Sequence, residues 1–304
     1  MKVLVSDPLA EEAIERLKKE SDIEVDVKTG MDKEELKKTI KDYAAIIVRS
    51  ATKVTREVIG NADNLKVIAR AGVGLDNIDL DAAKEKGIKV VNTPGGTTIS
   101  VAELTFGLML ASTRNITRAD ASLKEKKWEK KKLGGFELYG KTLGIIGLGR
   151  IGREVAKRAK GFGMKVVAYD PYLKKEEIPD IDVELVSMDD ILKNSDFITL
   201  HIPAIPQTRH IISEAEIAKM KDGVVLINAA RGGVVDEEAV YNGLTSKKIK
   251  CAAFDVFEVE PPLESKLLEL DNFIATPHLG ASTVEGQIRA GVEAADKVVG
   301  ILRG

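Results

Sequence analysis

The stretch Leu143-Gly-Ile-Ile-Gly-Leu-Gly-Arg-Ile-Gly152 constrains this chain more than any other. Leu143 to Ile146 is a short apolar run of the kind a buried parallel strand shows. Gly147, Gly149 and Gly152 follow at the G-x-G-x-x-G spacing, and Arg153 to Lys160 reads as the opening of a helix. The first glycine makes a tight turn, the second lets backbone approach a pyrophosphate, and the third packs helix on strand. The helix N-terminus then offers free N–H groups and positive dipole to phosphates. Asp170 ends the next apolar run, Val166-Val-Ala-Tyr-Asp170, at the distance where a carboxylate accepts both ribose hydroxyls of an adenosine. Strand, loop, helix and acid together point to a bound dinucleotide; a purely structural glycine turn is the other reading of the loop alone. A carboxylate at position 170 would repel a 2′-phosphate and so favours NAD, with Lys174 and Lys175 close enough to soften that choice.

The rest of the chain repeats the strand–helix alternation. Val3–Val5, Ile23–Val27, Ala45–Val48, Leu65–Ala69 and Lys89–Val91 read as strands. Helical patterns lie between them at Glu11–Lys19, Asp32–Lys41, Thr55–Asn61 and Leu80–Lys86, the last stopped by Gly87. A long apolar helix over about Ile99–Arg114 leads into a polar stretch, Asp120–Leu138, read as an exposed arm carrying Trp128 and Lys130-Lys-Lys. A second alternating unit follows, with strands at Leu143–Ile146, Val166–Tyr169, Phe197–Leu200, Val224–Ile227, Cys251–Phe254 and Phe273–Ala275. Capping boxes are expected at Ser213-Glu-Ala-Glu216 and at Ser282-Thr-Val-Glu285, the second opening a final helix to about Leu302. This is the α/β pattern of two doubly wound parallel-sheet (Rossmann-like) domains. The first unit has no helix left at its own end, so the terminal helix is expected to return to it. That gives a discontinuous substrate-binding lid of residues 1–97 and 283–304, with the nucleotide domain, 98–282, inserted.

Composition narrows the partners. A net charge of −2 and a pI near 6.1 give no support for nucleic acid as a bulk partner, and no apolar run approaches a membrane span. The N-terminus carries no signal-peptide pattern, and Cys251 is the only cysteine, so no intramolecular disulfide forms; both fit a reducing cytoplasm. Cys251 lies in an apolar run and reads as a small buried hydrophobe. No His/Cys/Asp cluster shows metal-ligand spacing.

Three segments stand where strands of the second unit end, the edge at which doubly wound sheets place ligands. They are Asn228-Ala-Ala-Arg-Gly-Gly233, Phe254-Asp-Val-Phe-Glu-Val-Glu-Pro-Pro262 and Ala275-Thr-Pro-His-Leu-Gly-Ala-Ser282. An Arg suits a bidentate grip on a carboxylate, a His suits proton exchange, and an acid behind the His would orient its ring. Each has a plain alternative: Arg231 as a surface ion pair, Glu260 as a solvated loop acid, His278 as a satisfied loop histidine. His201 and His210 read as structural.

Taken together these segments resemble the D-isomer-specific 2-hydroxyacid dehydrogenase family, nearly end to end. Gly147-Leu-Gly-Arg-Ile-Gly152, Asn-Ala-Ala-Arg-Gly-Gly233, Asp255-Val-Phe-x-x-Glu-Pro-Pro262 and Pro277-His-Leu-Gly-Ala-Ser282 carry the resemblance. It implies Arg231 as substrate-carboxylate binder, His278 as acid/base and Glu260 as its partner. It also implies that Asp255 binds the nicotinamide carboxamide, and that Arg150, Ile151, Ile202, Ala229 and Gly280 complete the cofactor site. Within the family, the N-terminal half is most similar to the phosphoglycerate dehydrogenase branch. Ile47-Val-Arg-Ser-Ala-Thr-Lys-Val-Thr55, Ala69-Arg-Ala-Gly-Val-Gly-Leu-Asp-Asn-Ile-Asp79 and Asn92-Thr-Pro-Gly-Gly-Thr-Thr-Ile-Ser-Val-Ala-Glu103 carry that likeness. It implies Arg49 and Ser50, with Arg70, on a substrate phosphate, and Gly72, Val73, Gly74 and Thr97 along the substrate. Thr97 stands where Asn is common, and Lys130 matches a basic position that reaches a neighbouring subunit's site.

The resemblance implies NAD-dependent oxidation of 3-phospho-D-glycerate at C2 to 3-phosphooxypyruvate, the first step of phosphorylated serine biosynthesis, in a cleft that expels water as it closes. The partner is then a small phosphorylated 2-hydroxy acid, and the family habit is a homodimer through the nucleotide domain. The chain ends at Gly304, so serine feedback through a C-terminal regulatory module is not expected. The alternatives are a glyoxylate/hydroxypyruvate reductase or another D-2-hydroxyacid dehydrogenase, or a non-enzymatic NAD-sensing scaffold of the same fold.

Overall fold

A computed structural model describes residues 1–174, 176 and 183–304. Its first elements run β1 (Lys2–Val5), α1 (Glu11–Lys18), β2 (Glu24–Val27), α2 (Lys33–Thr39), β3 (Ala45–Val48), α3 (Arg56–Gly60), β4 (Val67–Arg70), α4 (Leu80–Glu85) and β5 (Lys89–Asn92). The five strands form one parallel sheet in the order β2-β1-β3-β4-β5. Helices cover both faces, so the central β3 is buried at every residue and its sequence is a continuous apolar run. The edge strand β2 keeps the alternation Glu-Val-Asp-Val, whose charged residues discourage pairing with another chain. Local chemistry sets the helix ends. Asp32 caps α2 by accepting the Glu35 N–H at 2.8 Å while Glu35 accepts the Asp32 N–H. Gly87, at φ +70°, takes the left-handed turn that ends α4.

The second group begins with α5 (Thr98–Arg114) and α6 (Ile116–Lys124). The sequence places an exposed arm from Asp120, but residues 120–124 continue a helix, because Ala, Ser, Leu and Lys sustain one without burying a face. Then come β6 (Thr142–Ile146), α7 (Arg150–Gly161), β7 (Lys165–Tyr169), β8 (Glu184–Leu185), α8 (Met188–Asn194), β9 (Phe197–Leu200), α9 (Glu214–Lys219), β10 (Val224–Asn228), α10 (Glu237–Thr245), β11 (Ile249–Phe254), β12 (Phe273–Ala275) and α11 (Val284–Arg303). Strands β6 to β12 make a parallel sheet in the order β12-β11-β10-β9-β6-β7-β8, the doubly wound arrangement with a switch point between β6 and β9. The two-residue β8 is too short to leave a period in the sequence.

The chain divides into two compact units, Met1–Thr98 with Ala281–Gly304, and Ile99–Gly280. Both are parallel-sheet Rossmann-like folds, and the second is inserted into the first. Helix α11 packs on α1 and on the faces of β3 and β4, burying Ala290, Ala294, Val298 and Leu302 beside Val3, Leu17 and Ile47. Its cap is Thr283, whose hydroxyl accepts the Gly286 N–H at 3.0 Å; the box expected from Ser282 therefore moves one residue along and loses its acid, since the paired position is Gly286. At α9 the acid half of the expected box is present: the Glu216 carboxylate accepts the Ser213 N–H at 3.1 Å and the hydroxyl at 2.5 Å. No described helix is long and apolar enough to cross a membrane.

Candidate active site

In the inserted unit the glycine loop sits at the switch point of the sheet. Gly147, at φ +93°, leaves β6 in the left-handed region, and a Cβ there would lie 2.6 Å from Ile202 Cγ2 and 2.7 Å from the His201 carbonyl oxygen. Only glycine serves both the turn and the close approach of the β9 end. Gly152 lets α7 lie on that turn, since a Cβ would meet the Gly147 carbonyl at 2.2 Å. Gly149 caps α7 with no side chain over its free amides, and the first turn of the helix carries no acid. Asp170 directly follows β7 beside the loop: its carboxylate accepts the Leu148 and Tyr172 N–H groups, each at 3.0 Å. A cavity of about 470 Å³ opens there, lined by Leu148, Gly149, Arg150, Arg153, Asp170 and Tyr172. Lys175 lies outside the described residues.

The same sheet edge, at the ends of β10, β11 and β12, gathers the ionisable residues. Asn228 closes the turn that presents Arg231: its side chain accepts the Ala230 N–H and donates to the Arg231 carbonyl, both at 3.1 Å. Asp255, buried, holds the turn after β12. It accepts the Thr276 hydroxyl at 2.5 Å and the Leu279 and Gly280 N–H groups at 2.7 and 2.8 Å. Its backbone carbonyl also accepts the His278 N–H at 2.9 Å. His278 thereby stands in a left-handed conformation, φ +54°, with Nδ1 at 2.9 and 3.1 Å from the two oxygens of Glu260. Glu260 Oε1 in turn accepts the Phe257 N–H at 3.2 Å. A histidine whose Nδ1 is engaged by a carboxylate keeps Nε2 as the nitrogen that exchanges a proton. The turn bearing Arg231 and the loop bearing Glu260 touch at the backbone, because a Cβ on Gly232 would lie 1.8 Å from the Phe257 carbonyl oxygen.

His201 follows β9 with Nε2 at 3.0 Å from the Thr199 hydroxyl, and its Nδ1 is buried without a hydrogen bond. Burial pulls this imidazole down to about 3, which keeps it neutral. Burial also pushes the Cys251 thiol up, in keeping with a small core residue rather than a nucleophile.

In the first unit, residues singled out in the sequence cluster at the carboxyl ends of β1, β3 and β4. The buried Asp7 accepts the Arg49 N–H at 2.5 Å and the Thr52 hydroxyl at 2.7 Å. Asn77 donates to the carbonyls of Arg49 and Thr52 at 2.9 and 2.6 Å, and Arg70 Nε donates to the Arg49 carbonyl at 3.2 Å. Arg49 and Thr52 are thus fixed through their backbone, and Ser50, between them, is exposed. The Gly72–Gly74 turn is held by the Thr93 N–H on the Gly72 carbonyl at 2.8 Å and by Asn92 on that of Val73. Thr97 is buried.

Residues 106–280 match the family described as D-isomer specific 2-hydroxyacid dehydrogenase, NAD binding domain. The D-3-phosphoglycerate dehydrogenase of Methanocaldococcus jannaschii is 56% identical over 305 residues, covering all of this chain and 58% of that protein. The hydroxypyruvate reductase of Thermotoga maritima is 56% identical over 300 residues, 98% of this chain and 97% of its own. The chain belongs to the D-isomer-specific 2-hydroxyacid dehydrogenases. A solved relative, the D-lactate dehydrogenase of Aquifex aeolicus complexed with NAD and lactic acid, superposes with a TM-score of 0.85 at 35% identity, over all of this chain and 96% of that one. The chain spans somewhat over half the length of the phosphoglycerate dehydrogenase it matches.

The cofactor of this D-2-hydroxyacid dehydrogenase unit is NAD, and the loop fits it: bare amides at the start of α7, a carboxylate at Asp170 and a cavity between them. Two supports leave little trace in the sequence. Asp7 is a lone acid just past a strand, and its signal was only that position. Asn228 stands inside a motif in which the arginine is the residue with evident chemistry.

Proposed function

We propose that the chain oxidises the C2 hydroxyl of 3-phospho-D-glycerate to the ketone of 3-phosphooxypyruvate. The observation that carries this is the His278–Glu260 pair, held at the carboxyl edge of an NAD-binding sheet. Bound NAD supplies the acceptor for the hydride that leaves C2. In the oxidation His278 Nε2 takes the hydroxyl proton, while Glu260 steadies the positive ring through Nδ1. Arg231 binds the substrate carboxylate and draws electron density towards it. Asp255 keeps the 276–280 turn in place and retains lone-pair capacity on Oδ2 for the nicotinamide carboxamide. Arg49, with its backbone locked on Asp7, and Arg70 take the substrate phosphate, and the Gly72–Gly74 turn and Thr97 border the substrate.

A second reading has its own support: the equally identical hydroxypyruvate reductase from Thermotoga maritima, whose length this chain matches. In that direction His278 donates the proton to a ketone, and the phosphate contacts are idle. For quaternary structure, exposed Ile116, Leu123 and Trp128 support a homodimer through the nucleotide unit, with Lys130 on the exposed turn Lys130–Lys132. Replacing His278 by Ala tests the acid–base role. It is expected to lower kcat by roughly 10²- to 10⁴-fold while leaving NADH affinity, read by fluorescence titration, unchanged; normal turnover would remove the role.

A further inference from the structure

We propose that His210 is a positioning residue, tying the turn that carries Arg231 to the loop that carries Glu260. It rests on the acid–base reading above and adds a residue that the sequence marked as structural. His210 lies in neither strand-end motif. Its backbone takes a left-handed conformation, φ +49°, unfavourable for a residue with a Cβ. In that conformation its N–H donates to the Gly233 carbonyl at 2.9 Å, two residues past Arg231. Its ring Nε2 meets Glu258 Oε1 at 3.0 Å, two residues before Glu260, and Nδ1 lies 3.8 Å from Asp236 Oδ2. One residue thus holds both loops, one through its backbone and the other through its ring.

The bridge is completed around it. The Glu258 N–H donates to Glu237 Oε1 at 2.6 Å, and the Glu237 N–H reaches back to Glu258 Oε1 at 3.5 Å. The start of α10 therefore clasps the same loop, and the Gly232–Phe257 approach closes the third side. Four acids crowd this spot, Asp236, Glu237, Glu258 and Glu260, and burial beside the other three pushes the Glu237 carboxyl up. A ring with two polar nitrogens between Asp236 and Glu258 is what lets these loops pack acid against acid. Loosening it frees the Glu260 loop and, through Glu260, the His278 ring.

The test uses the full chain, with steady-state rates for His210→Ala, His210→Gln and Glu260→Gln and for the double variant His210→Ala/Glu260→Gln. His210→Ala is expected to lower kcat roughly tenfold or more, as loss of an outer orienting partner does, with NADH affinity unchanged as proof of an intact cofactor unit. His210→Gln, whose amide nitrogen can stand where Nε2 stands, recovers most of the rate. On the Glu260→Gln background, His210→Ala adds less than about twofold, because the route it serves is already lost. Glu258→Ala removes the same bridge from the other side and reproduces the loss if His210→Ala does not fold. The proposal is overturned if the two losses multiply, or if the Gln variant is as slow as the Ala variant. A Glu260→Gln protein with full kcat would instead bring down the acid–base reading itself, and this proposal with it.

Discussion

Gly232 has no side chain because the Phe257 carbonyl oxygen occupies the place where one would begin, 1.8 Å from an added Cβ. A backbone oxygen cannot swing away as a flexible side chain can, so a methyl group must part the Arg231 turn from the Glu260 loop. Displacements of this size in a site that depends on alignment cost on the order of a hundredfold in rate. Gly232→Ala should accordingly lower kcat/KM for the 2-hydroxy acid by about that factor and leave NADH titrations unchanged. An unaltered rate would mean the two loops work independently. His201 makes a different statement at the same scale. Its imidazole titrates near its ordinary 6.5 when unfolded and is pulled down to about 3 by burial in the folded chain. Between those values the unfolded state binds more protons, so stability rises with pH through that window and is level above it. Urea unfolding at about pH 5 and about pH 8 checks this: the wild type should lose more stability on acidification than His201→Asn. Equal losses would show that the ring is not desolvated.

At the scale of elements, the residues proposed to act stand at the carboxyl ends of strands, and the residues that hold them come from the next turn. Arg49 follows β3 and is fixed because Asp7, just after β1, accepts its N–H. Arg49→Ala should raise the Michaelis constant for phosphoglycerate by about tenfold or more and that for unphosphorylated hydroxy acids little. Equal effects on both would take Arg49 off the phosphate. The strands and most helices were legible because buried parallel strands leave unbroken apolar runs and helices leave a period with caps, as at Asp32 and Gly87. What was not legible has physical reasons. Strand β8 is too short to show a period, and residues 120–124 form a helix that buries almost nothing. Thr283 caps where Ser282 was expected, since either hydroxyl could serve and only backbone geometry decides. In the site, the pairing of His278 with Glu260 was readable as a strand-end coincidence of types. The hold of Asp255 on the His278 turn and the contact of His210 with Glu258 were not, because each joins segments far apart in the chain, whereas Asn228 acts within its own turn, on Ala230 and Arg231.

The whole molecule is two doubly wound units, one interrupted by the other and closed on itself by α11. The interruption explains why helix α11, last in sequence, covers the sheet that begins the chain: without Ala290, Ala294, Val298 and Leu302, one face of β3 and β4 would meet water. Family membership and NAD belong to this scale, since the first rests on likeness along the whole chain and the second on the inserted unit as a body. The proposed action on a phosphorylated acid reduces to one comparison: the initial rate of NAD reduction with 3-phospho-D-glycerate against that with D-glycerate. A kcat/KM at least about a hundredfold higher is expected for the phosphorylated acid. Equal or faster turnover of the unphosphorylated acid would contradict it.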